Sequence, residues 1–379
     1  MNTYYLHTEN MTVGYDGKPL IEHIDIGVRR GEILTLIGPN GSGKSTILKS
    51  MIRQLKLIAG TVILDGQAMA DMREGDIAKK LSIVMTERIK AELMSCYDLV
   101  ATGRYPYTGR LGLLSAEDHR IVREAIRTVH AEEFADRPFT QISDGQRQRL
   151  LLARAICQEP EVIVLDEPTS FLDIRHKLEL LDILKNLVRE KNVAVILSLH
   201  ELDLAEKVSD RVVCVAGNRI ERCDTPENIF TDEYIARLYG IEKGSYNALF
   251  GCPELPAVQG EPRVFVIGGG GSGVPVYRQL QRRGIPFAAG VLAENDLDWP
   301  VAHALAAELI SVPPFAPVDG EALNRARSLM ARCEQVVCCL SAFGPQNEGN
   351  RRLRDEAAVR GKILKVSRLS DLWTGGEGS

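Results

Sequence analysis

Excess positive charge, long apolar runs and paired-cysteine motifs are the three things this chain of 379 residues lacks. Lysine and arginine total 46 against 51 aspartates and glutamates, a formal charge of −5. A reader of nucleic-acid backbone needs a basic face, so no nucleic-acid partner is expected. No apolar run approaches the ~20 residues of a spanning helix, and residues 1–30 are too polar for a secretory leader. The chain is therefore expected to stay in the cytoplasm without crossing a membrane itself. Its cysteines, at 96, 157, 214, 223, 252, 333, 338 and 339, show no C-x-x-C spacing and several lie in apolar runs. That pattern favours buried thiols over disulfides or a metal cluster. Cys338 and Cys339 would point to opposite faces of one strand, which argues against a shared ligand site.

What is present suffices for two cores. Hydrophobic residues make up 45% and charged residues 26%, as in soluble globular proteins. The length suits two domains at about 150 residues each.

The chemistry concentrates in Gly38-Pro39-Asn40-Gly41-Ser42-Gly43-Lys44-Ser45-Thr46. This stretch follows the apolar run 33–37 and precedes Ile47-Leu48, which reads as strand, glycine-rich turn and helix start. Gly38, Gly41 and Gly43 let successive N–H groups turn inward on a phosphate, and the helix start adds the positive end of its dipole. Lys44 would reach the outer phosphates and the Ser45 hydroxyl would join the shell of a Mg²⁺ ion.

Upstream, 4–9 and 21–28 alternate around the turn 15–19, predicting a small antiparallel sheet. Tyr15 at its turn is either a stacking ring at the lip of a nucleotide pocket or an ordinary surface tyrosine. Downstream, 91–140 is helical in pattern, and Ile142-Ser143-Asp144-Gly145-Gln146 opens an apolar helix. The strands 162–165 and 193–199 are continuous apolar runs of the parallel-sheet kind. The first ends in Asp166-Glu167 and the second in His200. Two acids at the end of a buried strand need a cation or a reacting group beside them. Open α/β sheets place ligands at that end, so Asp166, Glu167 and His200 are expected to converge there.

These motifs, with Asp173, occur in the order and spacing of the ATP-binding cassette ATPases, which the chain resembles over about residues 3–245. The resemblance implies an α/β fold: a P-loop cassette with a parallel sheet, an antiparallel β subdomain and a helical subdomain. It also implies ATP as substrate and Mg²⁺ as cofactor. Tyr15 matches the adenine-stacking aromatic, Lys44, Ser45 and Thr46 the Walker A residues, and Asp166 the Walker B metal partner. Glu167 matches the general base and His200 the switch histidine. In this family the turn equivalent to 143–146 closes over the phosphate loop of a second subunit, so the ATP-bound form is expected to be a homodimer. The segment Val100 to Pro106, with Asp118, resembles more closely the ATPases of iron-siderophore, haem and corrinoid importers. That likeness implies a permease, a substrate-binding protein and a place at the inner face of the cell membrane.

Two positions depart from the family pattern. Ile142 and Asp144 replace the leucine and one glycine of the signature, adding a negative charge. Glu87, in Met85-Thr86-Glu87, stands where a glutamine is expected. It is either a ligand of the metal or attacking water, or an exposed loop carboxylate.

Residues 246–262 have a linker composition of glycine and proline, which divides the chain into a cassette, 1–245, and a second domain, 263–379. Alternating apolar runs and helical stretches there predict a Rossmann-like parallel sheet of about five strands. Gly268, Gly270 and Gly273 fit G-x-G-x-x-G between strand and helix, and Glu294 stands where a ribose-binding acid belongs. The turn is read as a dinucleotide site, a site for another anionic or nucleotide effector, or a packing device. No second Gly-Lys-Ser and no long coiled-coil insert occurs. Importer ATPase is therefore the favoured reading, ahead of a soluble non-transport cassette or a metabolite-sensing ATPase.

Overall fold

Ile33–Ile37 is a strand in which every residue is buried, and it sits near the middle of a six-stranded sheet. The computed structural model describes residues 4–85, 93–109, 112–170 and 172–370. Glu87 lies outside them. Across the sheet the order is Arg219–Asp224, Arg211–Ala216, Ile33–Ile37, Ala194–Ser198, Val162–Leu165 and Leu81–Val84, parallel except for the first pair. Strands 33–37, 162–165 and 194–198 are buried throughout, which explains why they read as unbroken apolar runs. Their carboxyl ends deliver the phosphate loop, the acidic pair and the histidine to one edge.

In the antiparallel sheet, Leu6–Tyr15 pairs with Lys18–Ile24 on one side and Ala59–Leu64 on the other. Its apolar residues share one core with the large sheet. The helical insert contributes Cys96–Ala101, Ala116–Thr128 and Asp144–Cys157. Each of these helices opens on a reciprocal serine cap, Ser95 with Asp98, Ser115 with Asp118 and Ser143 with Gln146.

The insert also explains the segment that pointed to chelate importers. Arg104 is buried, with its Nε donating to Asp118 Oδ1 at 2.9 Å and its Nη1 donating to Glu159 Oε2 at 2.8 Å and the Cys157 carbonyl at 2.9 Å. A Cβ on Gly103 would meet the Arg154 carbonyl at 2.4 Å, so glycine lets this turn lie against the helix 144–157. Hydrogen bonds from Ser115, then from Arg104, hold the Asp118 carboxyl down at about 2. Replacing Arg104 with alanine leaves the buried Asp118 with its Ser115 cap but no cation, a loss of about 1.5–3 kcal/mol that denaturant titration at neutral pH will register. Because the Asp118 pKa is depressed, its contribution is complete above about pH 4 and declines as pH falls toward 2.

Contacts divide the chain into Met1–Phe230 and Thr231–Ser379. The second unit begins before the glycine- and proline-rich stretch, which carries a hairpin, Ser245–Asn247 with Cys252–Glu254. The buried Glu254 carboxylate pairs with Arg278 there, giving that stretch a fixed partner. The unit's main sheet is parallel and five-stranded: Val264–Ile267, Phe287–Ala293, Glu308–Val312, Gln335–Cys338 and Ile363–Leu364, in the spatial order third, second, first, fourth, fifth. Val264 and Val266 enter one core while Phe265 and Ile267 enter the other, the two-residue alternation of a sheet covered on both faces. The strand order reverses beside 264–267, the place where open α/β sheets bind ligands. None of the eight cysteines is disulfide-bonded, and Cys96, Cys157, Cys214 and Cys333 are buried. No helix among the described residues is long and apolar enough to cross a membrane.

Candidate functional site

The turn 38–43 bends where ordinary side chains do not fit. Gly38 has φ +146°, and a Cβ there would meet the Val215 carbonyl at 2.1 Å. Gly43 caps the helix Lys44–Met51 with φ +97°. The Lys44 side chain folds back over the loop, its Nζ donating to the Gly38 carbonyl at 2.7 Å and the Pro39 carbonyl at 3.0 Å. Burial lowers the Lys44 pKa, and the nearby Glu167 and Asp166 act against that shift.

Around this loop lies a cleft of about 470 Å³ lined by Tyr15, Leu20, Asn40, Gly41, Gly43, Lys44, Ser45, Thr46, Glu167 and His200. Tyr15 is 53% exposed at its edge, and its hydroxyl lies 3.0 Å from Thr46 Oγ1. Asp166 is buried; its Oδ1 accepts from Ser45 Oγ at 3.0 Å and from Ser198 Oγ at 2.8 Å. Glu167 follows at φ +48°, in the left-handed region that a residue with a Cβ adopts at a steric cost and that is found disproportionately at functional sites. Its N–H donates to Ser198 Oγ at 2.9 Å, its Oε2 accepts from Ser170 Oγ at 3.2 Å, and its Oε1 lies 2.6 Å from His200 Nε2.

Ser198 is the residue that motif reading missed. It ties the two acids together, Asp166 through its side chain and Glu167 through its amide. The signal was present, since Ser198 is polar within an apolar strand and sits two residues before His200, on the same side of the chain.

Other motif residues lie apart from this cleft. Ser143 caps its own helix, with Gln146 N donating to Ser143 Oγ at 3.3 Å and Ser143 N donating to Gln146 Oε1 at 2.9 Å. Asp144 accepts from Arg147 at 2.9 Å, so its added charge has a neighbouring cation. A Cβ on Gly145 would come within 3.4 Å of His176 Nδ1. Asp173 caps the helix Ile174–Lys191 through His176 N at 2.9 Å. None of 143–146 or Asp173 is among the described residues lining the cleft of its own chain.

In the second unit, Gly268 and Gly270 line a larger cavity of about 560 Å³ at the carboxyl ends of the strands. Gly273 is not among its lining residues. Cβ atoms on Gly268 and Gly273 would meet the Tyr277 hydroxyl at 2.3 and 2.5 Å and Asp298 Oδ2 at 2.6 and 2.8 Å. These two glycines therefore serve close packing. The fully buried Asp298 accepts from the amides of Gly269 at 2.5 Å, Gly273 at 2.8 Å and Val274 at 3.2 Å. Burial raises its pKa, against the lowering effect of those donors. Glu294 is exposed and is not among the lining residues, whereas Asp296, two positions on, is.

The phosphate loop and its acidic neighbours are those of a cassette ATPase, and the comparisons agree. The family model "ABC transporter" matches residues 21–170, and a second, "MJ0874 family", matches 287–378. "Uncharacterized ABC transporter ATP-binding protein MJ0873" of Methanocaldococcus jannaschii is 40% identical over 292 residues, covering 76% of this chain and all of its own. The Bacillus subtilis "Iron(3+)-hydroxamate import ATP-binding protein FhuC" is 35% identical over 62% of this chain and 88% of its own. The Halobacterium salinarum "Cobalamin import ATP-binding protein BtuD" is 29% identical over 89% and 86%. Among solved structures, cbiO1 of Clostridium perfringens, part of the ABC transporter complex cbiONQ, matches 62% of this chain and 93% of its own at 26% identity and a TM-score of 0.54. The chain belongs to the ATP-binding proteins of ABC transporters, and it is an ATPase of that family.

Proposed function

We propose that this chain powers an importer of metal chelates of the iron-siderophore, haem or corrinoid class. The observation that carries the chemistry is the contact of Glu167 with His200, 2.6 Å apart at the mouth of the phosphate loop. Glu167 takes the proton of the attacking water, and His200 holds that carboxylate in place and faces the γ-phosphate. Tyr15 stacks on adenine, the loop 38–46 holds the phosphates, and Lys44 leaves its carbonyl partners to bind the outer ones. Positioning and charge stabilisation do most of the work in phosphoryl transfer. Ser45 and Asp166 would hold Mg²⁺: their oxygens, 3.0 Å apart, are the hard donors that ion takes. When bound, Mg²⁺ supplies charge neutralisation at the phosphates. Ser143, Asp144, Gly145 and Gln146 cover the ATP of a second copy, with Asp173 at the same junction, so the working form is a homodimer.

The substrate class rests on the named activities of the Bacillus and Halobacterium relatives and on the Arg104–Asp118 segment. The partners are an integral permease and a substrate-binding protein, with the chain at the inner face of the membrane. We assign 1–245 to the cassette, 246–262 to a connection that packs with the second unit, and 263–379 to a domain through which a small-molecule effector adjusts turnover.

Co-purification with membrane proteins, followed by reconstitution in vesicles, tests this reading. ATP-dependent uptake of a ferric hydroxamate or cobalamin is the expected result. A co-purifying permease that moves neither of these nor haem while ATP is consumed would remove the substrate class.

A further inference from the structure

We propose that the cavity at the carboxyl edge of the second sheet binds a nucleoside that carries no phosphate, with its ring on Phe315 and its ribose hydroxyls on Asp296. This names the ligand class of the effector domain and rests on that reading of it. The cavity has the size and place of a small-molecule site, about 560 Å³ at the point where the strand order reverses.

The electrostatics of its glycine turn disfavour a phosphate. In nucleotide-binding domains of this architecture the glycine-loop amides face the pyrophosphate. Here the amides of Gly269, Gly273 and Val274 donate to Asp298, and that of Gly270 donates to both oxygens of Asp296 at 2.9 and 3.1 Å. The protein's own carboxylates occupy the place of the anion. Among the described lining residues none is lysine, arginine or histidine. A phosphate at the glycine turn would therefore meet like charge, with no lining cation and with the amides of Gly269, Gly270, Gly273 and Val274 already taken.

What remains suits a neutral molecule with hydroxyl groups and a flat ring. Asp296 follows the second strand in chain order, the region from which such folds hold a ribose, and its carboxylate, accepting the Gly270 and Asp298 amides, keeps lone pairs for hydroxyl donors. Val291, Val312 and Leu340 form an apolar wall. At the lip stands Phe315, 76% exposed, its backbone in the left-handed region at φ +60°. Its amide is fixed by Asn295 Oδ1 at 3.0 Å. An exposed aromatic held in an unfavourable backbone at a cavity mouth is a stacking platform; its ring accepts any base, and the carboxylate selects the sugar.

Hydrogen-exchange mass spectrometry on the full chain separates this site from the cassette, because peptides spanning 268–273 and 313–318 are distinct from those spanning 38–46. Adenosine, guanosine, cytidine and uridine are the probes, with AMP and NAD⁺ as phosphate-bearing counterparts. At least one nucleoside is expected to protect both second-unit peptides, with the corresponding phosphates giving little or no protection there. Phe315→Ala, at an exposed position, and Asp296→Asn, which keeps an oxygen for the Gly270 amide, should each weaken that protection about tenfold. Equal or stronger protection by AMP or NAD⁺ overturns the ligand class, and no protection by any nucleoside overturns the site. ATP turnover is measured beside exchange: binding that leaves turnover unchanged removes the effector reading and leaves the site standing.

Discussion

Replacing Glu167 with glutamine is expected to lower ATP turnover by about 10²–10⁴-fold, the contribution of a positioned general base, without loss of ATP binding. Glutamine has the same shape, so it keeps one oxygen for Ser170 and a polar atom for His200, whose counterparts in the native residue lie 3.2 and 2.6 Å away. What it loses is the ability to take a proton from water. Because binding survives and hydrolysis does not, the variant should accumulate as an ATP-bound dimer on size exclusion. A monomer that turns over ATP at the native rate would remove Glu167 from the role of base.

The glycine loop, the acidic pair Asp166-Glu167 and His200 were legible because their chemistry resides in contiguous residues. Each follows a strand so apolar that its element type and burial are evident from composition. Ser198 was not read as functional because its partners, Asp166 and the Glu167 amide, lie on the neighbouring strand's end, and only sheet pairing brings them together. The Gly103-Arg104 segment was visible as a pattern, but its physical reason is tertiary. Arg104 is a buried guanidinium satisfied by Asp118, Glu159 and the Cys157 carbonyl, residues 14 to 55 positions away.

The glycine turn at 268–273 is the most instructive case. Its spacing fitted a dinucleotide site, another effector site or a packing device alike, with Glu294 as the acid at the expected distance. In the fold, Asp296 and Asp298 return to the turn and accept its amides, while Tyr277 presses on Gly268 and Gly273. The same glycines thus mark close packing, which no spacing rule distinguishes from phosphate binding.

The central claim is that the phosphate loop is half a site, completed by the 143–146 turn of another copy. Two inactive variants test it. Lys44→Ala removes the phosphate ligand and Ser143→Arg blocks the covering turn, so each homodimer should hydrolyse ATP at least about 100-fold more slowly, as when one group stabilising transition-state charge is removed. Ser143 lies outside the cleft of its own chain, where it caps a helix, so its loss disturbs the local phosphate loop little. In an isologous dimer, a mixed pair places both substitutions in one site and leaves the other intact, so equal mixing should recover about a quarter of the native sites. The decisive measurement is ATP turnover of the two purified variants, alone and mixed. Recovery on mixing is the predicted result; two folded variants that exchange subunits and stay inactive together would contradict the shared site.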